Sequence, residues 1–295
     1  MTYHRQLASM GTRLGLVLPS VTPARGDRLV SRISLELEKW EQALSIHRAD
    51  SSAMLVNRQL ARTQSAVVDD PLLWQALQLA EEGCRLTQGW FNVACGRLYG
   101  AYKQNAATVP STVSNYANVR LQLDEPQRRL SVDNAHALLD FGGLGKGLAL
   151  DDIKRLLLEE GVQSCFVSFG ESSILALGRH PHGNAWPVAV NHPFYPDQRL
   201  EILALHNRFL TLSSSVANGA TGGGLLAHLV NPKDGLLIDE LRTVATVSES
   251  GAMGEMISTA KLVAAQRWSV EPLLGDRADS CQLFIHKMDS STHSA

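Results

Sequence analysis

The stretch LDFGGLGKGLAL, Leu139 to Leu150, sets four glycines and one lysine between apolar flanks. Glycine lets the backbone take positive φ and come close to a ligand, and Lys146 places one cation among small side chains. Leu150, Ile153, Leu156, Leu157 and Leu158 then fall largely at helical spacing, which predicts a helix over 149–160 opened by the glycine loop. A helix N-terminus with free amides, a lysine and Asp140 just upstream suits a phosphate, or a phosphate with its metal. The other reading is a tight turn with Lys146 solvated. The spacing matches neither GxGxxG nor GxxxxGK[ST], so this stretch alone leaves the two level.

Working outward, Thr12–Pro19 (TRLGLVLP) alternates and predicts a strand, and 27–44 predicts an amphipathic helix with Leu29, Ile33, Leu37, Trp40 and Leu44 on its apolar stripe. Ser45–Asn57 reads as loop and cap leading to a short helix, and Pro71–Leu86 as another helix. The polar stretch 106–126 reads as surface loop with a short amphipathic segment. Arg129–Val132 and Ala137–Phe141 read as a β-hairpin turning at Asp133-Asn134 that delivers the glycine loop.

Downstream, Cys165–Phe169, Ile174–Leu177, Trp186–Val190, Leu200–Leu205, Phe209–Leu212 and Thr243–Val247 read as strands. SSSVANGATGGG, from Ser213, is a permissive loop of the kind that binds ligands. A helix is expected over 252–266, and it sets Glu255 and Thr259 four apart on one face, where a carboxylate and a hydroxyl can share a hard cation. Strands and helices mix without strict βα alternation, which indicates an α+β fold of mixed β-sheets with packed helices. Residues 290–295 form a polar tail expected to be disordered.

At 295 residues, 44% hydrophobic and 19% charged, the chain can bury one large core or two modest ones. A formal charge of -2 gives no bulk basic field, which argues against nucleic acid and anionic membrane surfaces as partners. The four cysteines form no CxxC pair, so neither a zinc site nor a disulfide framework is indicated and free thiols are expected. Arg5 and Arg13 interrupt the apolar residues of the first twenty positions, and no apolar run is long enough to cross a bilayer. Cytoplasmic residence is therefore the expectation.

Taken in order, these pieces resemble the FAD:protein FMN transferase family, ApbE, over almost the whole chain. The carrying stretches are MGT at Met10–Thr12, the serine-to-asparagine stretch Ser45–Asn57, and GWFNVACG at Gly89–Gly96, similar to GxFDPTVG. LDFGGLGKGLALDD is similar to IDLGGIAKGYAVD, VSFGESSI stands for VxxGGDI, HLVNPKDG for HIIDPxTG, and GEMISTA for ADALSTA. The resemblance implies one ApbE-like flavin transferase domain over residues 1–289, in one lobe or two. It further implies cleavage of FAD at its pyrophosphate and attachment of FMN to a threonine of an acceptor protein, with AMP leaving and Mg²⁺ assisting.

Carried over residue by residue, the resemblance puts the metal on the Gly145 carbonyl, Glu255 and Thr259. It puts FAD on Met10, Asn57, Asp140, Gly142, Gly143, Lys146, Gly170, Ser213, Ser214 and Ser215. Lys146 would offset charge on the pyrophosphate oxygens, and His228 would act as base or positioner for the hydroxyl. Several positions depart from the family. Glu255 replaces an aspartate and lengthens the arm by one methylene, Gly145 replaces an alanine, GES replaces GGD at Gly170–Ser172, and His47 replaces an aromatic residue. Asn92 and Asn231 stand where the family has aspartates. A non-catalytic FAD-binding protein on the same fold, and an FAD pyrophosphatase releasing FMN and AMP, stand as alternatives.

Overall fold

The computed structural model describes residues 1–98, 100, 117–192, 195, 197–215, 229–238, 240–270 and 281–287. The chain opens with a hairpin of β1 (Thr2–Ser9) and β2 (Thr12–Pro19), turning through Met10 and Gly11, both at positive φ. β1 is mostly polar and exposed, as an edge strand is, and the hydrophobic pattern did not announce it. Helix α1 (Pro23–Leu44) starts earlier than expected because Pro23 supplies a preset φ at its first turn. Its Leu29, Ile33, Leu37, Trp40 and Leu44 recur every three or four residues and, with Val30, are all buried.

Helix α2 (Ser52–Thr63) begins where the Ser51 hydroxyl accepts the Met54 amide, as the cap cluster predicts, and runs for twelve residues. β3 (Ser65–Val67) and α3 (Pro71–Leu86) follow, α3 capped by the Asp70 carboxylate on the Leu72 and Leu73 amides.

The expected hairpin is corrected. β5 (Arg129–Val132) pairs with β4 (Leu121–Asp124) on one side and with β3 on the other, so both its edges are taken and the turn lies at 125–128. The segment 137–141 runs instead beside 93–96: the Leu138 amide donates to the Ala94 carbonyl and the Asp140 amide to that of Val93. The glycine loop is thus delivered by contact with the GWFNVACG stretch. β4 also falls inside the stretch expected to be loop.

Helix α4 (Gly145–Glu159) leads to β6 (Cys165–Phe169) and β7 (Ser173–Leu177), then to the hairpin of β8 (Trp186–Asn191) and β9 (Arg199–Leu205). β10 (Arg208–Ser214), β11 (Arg242–Ser248), helix α5 (Gly251–Ala264) and β12 (Cys281–Lys287) complete the order. Seven strands form one sheet in the order β1-β2-β6-β7-β10-β11-β12, each neighbouring pair antiparallel. The helices pack on one face of this sheet, joining Leu16, Ile33, Trp40, Ile153, Leu157, Val167 and Phe209 in the main core. The β8–β9 hairpin covers the other face through Trp186, Val188, Val190 and Leu203 against Ile174, Leu210 and Val247. That double cover explains why every residue of β7 and β11 is buried. The fold is α+β.

Candidate nucleotide site at the glycine loop

α5 approaches the sheet closely because Gly254 brings no side chain: a Cβ there would lie 2.6 Å from the Thr211 hydroxyl and 2.8 Å from that of Ser248. The approach sets Ser213 of β10 beside the helix, its hydroxyl 2.8 Å from that of Ser258 and 3.4 Å from that of Thr259. α4 in turn crosses α5 at Gly147 and Gly251, and Asp151 accepts the Gly251 and Ala252 amides at 2.7 and 3.0 Å. Burial raises the Asp151 carboxyl above its ordinary value, against the lowering pull of those amides and the Ser250 hydroxyl.

This packing brings Lys146 and Glu255 together, Nζ to Oε1 at 3.5 Å. The same glutamate oxygen accepts the Ser173 hydroxyl of β7 at 2.5 Å. Glu255 is 4% exposed, so its charge is met by protein rather than by water. α2, α3 and α5 are capped by Ser51, Asp70 and Ser250, whereas α1 and α4 have no side-chain cap, and the first amide of α4, that of Gly145, donates to the Phe141 carbonyl at 2.7 Å. The first amides of α4 thus lack the side-chain oxygen that closes those other helix starts.

The other expected residues surround this point in different ways. Gly142 and Gly143 are exposed, and the Gly142 amide donates to Asp140 Oδ1 at 2.8 Å. The open side of Gly143 faces Phe91 and the Thr259 hydroxyl. Gly145 opens α4 against Leu44 and Met10, and the Met10 amide donates to Glu41 at 3.0 Å, fixing the hairpin tip. Asn57 is buried and committed to the backbone of Leu139, accepting its amide at 2.8 Å and donating to its carbonyl at 3.0 Å. It clamps the entry to the glycine loop. Gly170 sits in the β6–β7 turn with its amide on the Arg13 carbonyl. Ser214 accepts the Thr243 hydroxyl, and Ser215 is buried and bonded to the backbone of Arg242. His228 and residues 216–227, with the NGAT of the expected loop, lie outside the described residues, as does the 290–295 tail.

Sequence reasoning did not find Ser173, Ser258 or Asp151. Ser173 lies inside the quoted VSFGESSI stretch, but only the β6–β7 register points it at Glu255.

The site therefore holds one buried carboxylate, Glu255, bonded to the Ser173 hydroxyl, and a second group of hydroxyls, from Ser213, Ser258 and Thr259, about a turn further along α5. No three His, Cys, Asp or Glu side chains gather into a metal cage among the described residues. This set fits Mg²⁺ arriving with a phosphate, since that ion is commonly held by one or two carboxylates plus substrate oxygens and water. The GWFN stretch also borders a cavity of about 940 Å³, with Gly89, Asn92, Arg120 and Lys233 in its wall, which none of the expected FAD-contacting residues lines. Beside it Lys233 and Arg267 lie 4.0 and 4.8 Å from the Trp90 ring centroid, and burial followed by Arg267 lowers the Lys233 pKa.

The structure thus combines an α+β fold with a glycine-opened helix start beside a buried carboxylate and hydroxyls. Residues 10–273 match the ApbE family, and the chain belongs to that family. It is 23% identical over 244 residues to the FAD:protein FMN transferase of Klebsiella pneumoniae (strain 342), covering 79% of this chain and 74% of that protein. To the FAD:protein FMN transferase of Escherichia coli (strain K12) it is 22% identical over 257 residues, covering 81% and 71%. The flavin transferase ApbE from Vibrio cholerae superposes with a TM-score of 0.78 at 18% identity, over 98% of this chain and 94% of that one. The ApbE protein from Thermotoga maritima gives 0.79 at 19% identity, over 99% and 98%. No helix among the described residues is long and apolar enough to cross a membrane.

Proposed function

We propose that this protein is an FAD:protein FMN transferase, cleaving FAD at its pyrophosphate and joining FMN to a threonine hydroxyl of an acceptor protein. The carrying observation is the meeting of Lys146 and Glu255 at the start of α4, in a chain of this family. In the reaction, the threonine oxygen bonds to the FMN-side phosphorus, the bridging P–O bond breaks, and AMP departs with the bridging oxygen. The hydroxyl proton passes to a base, a role assigned to His228.

Lys146 and the α4 amides offset the charge that grows on the pyrophosphate oxygens. Gly142 and Gly143 let the backbone approach the phosphates, and Asn57 keeps the loop entry in place through Leu139. Glu255, Thr259 and the Gly145 carbonyl would hold Mg²⁺, which when bound polarises phosphoryl oxygens and steadies the leaving group. Four free cysteines accord with a reducing compartment, and cytoplasmic residence is part of the proposal, to be checked by cell fractionation.

The test is incubation with FAD and Mg²⁺, with and without a threonine-bearing acceptor peptide, following AMP and peptide mass. AMP release with an FMN-sized adduct supports transfer, and loss of both in Glu255→Ala supports the metal assignment. AMP without an adduct makes the protein a pyrophosphatase, and intact bound FAD makes it a flavin-binding protein.

A further inference from the structure

We propose that Lys146 holds the cation position at Glu255 until a nucleotide draws it away, so that the nucleotide binds first and the divalent cation second. This rests on the flavin-transferase reading and specifies the order in which its site is filled. Lys146 Nζ lies 3.5 Å from Glu255 Oε1, and the Glu255 side chain is only 6% exposed. Ser173 donates to that same oxygen, so the carboxylate is anchored by β7 and neutralised by α4 before any ligand arrives. A divalent ion entering here meets an ammonium already at contact distance, and like charges repel strongly where little water screens them.

A pyrophosphate reverses the balance. Its negative charge, settled at the uncapped start of α4, offers Lys146 a stronger partner than one carboxylate and leaves Glu255 unneutralised. Its oxygens also supply the ligands that one carboxylate and a few hydroxyls do not.

The experiment measures binding of Mn²⁺ alone to nucleotide-free protein by electron paramagnetic resonance, in the wild type, Lys146→Met and Lys146→Arg. Removing the positive charge should tighten Mn²⁺ binding at least about tenfold, while the arginine variant stays as weak as the wild type. Adding FAD should tighten binding in both the wild type and Lys146→Met, by a larger factor in the wild type, because only there does it also draw Lys146 away from Glu255. Glu255→Gln introduced into Lys146→Met should abolish the gain. Equal Mn²⁺ binding by the wild type and Lys146→Met without nucleotide overturns the proposal, as does a gain that survives Glu255→Gln. AMP release and adduct formation by the wild type judge the transferase reading separately, so either can fail while the other stands.

Discussion

Gly147 of α4 and Gly251 of α5 meet backbone to backbone: a methyl group at Gly147 would lie 2.5 Å from the Gly251 carbonyl oxygen, and one at Gly251 would lie 2.6 Å from that of Gly147. The contact fixes the separation of the two helices that carry Lys146 and Glu255. Gly147→Ala should therefore destabilise the fold by about 1–3 kcal/mol or more, with a larger loss for Gly147→Val. Urea denaturation measures this, with Gly183→Ala as control, since its nearest neighbour would be 3.8 Å away. An unchanged midpoint in Gly147→Ala would show that the helices can part freely.

Ser173 is expected to matter through Glu255. Its hydroxyl makes a buried, charge-assisted bond, and losing it in Ser173→Ala should cost about 1.5–3 kcal/mol. Chemical denaturation at neutral pH reads the loss, which should vanish in a Glu255→Gln background if the two act as a pair.

Much of this architecture was readable from hydrophobic period alone. α1, α3, α4 and α5 show apolar stripes, and β2, β6 and β8 to β11 show alternation or short apolar runs, because each has a face to bury. β1 was invisible because its polar edge buries little, and β4 because LQLD sits in a polar neighbourhood. The partner of β5 was misread for a different reason. Strand pairing is a long-range choice, and β3, more than sixty residues upstream, took the edge that a local hairpin would have used. In the site, the spacing of Glu255 and Thr259 was visible on a helix, while the reach of Ser173 to Glu255 depends on two strands and a helix meeting.

Glu171 offers a test of strain. It sits in the β6–β7 turn at φ 60, a conformation that costs a residue with a Cβ about 1 kcal/mol, and its partner Arg13 is 3.9 Å away with both side chains more than three-quarters exposed. Glu171→Gly should leave stability unchanged or raise it by up to about 1 kcal/mol, and Glu171→Val should lower it. Thermal midpoints of the two variants should move in opposite directions or differ by at least that margin.

The buried thiols set an alkaline limit. Burial pushes Cys95 and Cys165 up to about 12 and Cys281 up to about 11, from an ordinary 9.0. A folded pKa raised above the unfolded one adds stability that is complete below about pH 9 and is lost as pH climbs towards 11 to 12. The urea midpoint should fall over that range, and less steeply in Cys165→Ala. A thiol reagent at pH 8 should modify half-buried Cys84 first, the other three reacting only as the protein unfolds.

The place of the N-terminal hairpin in the large sheet bears on how this chain is made. β2 finds its second neighbour in β6, so the edge of a strand ending at Pro19 stays unmatched until synthesis has passed Cys165. The opposite edge of the sheet, β12, is more than 250 residues further along the chain than β2. Assembly is thus governed by distant pairings, which are slow to close, and the centre of the sheet cannot form until β6, β7, β10 and β11 have all been made. Cutting the chain between β5 and α4 would leave two pieces, each with an open strand edge that only the other can fill.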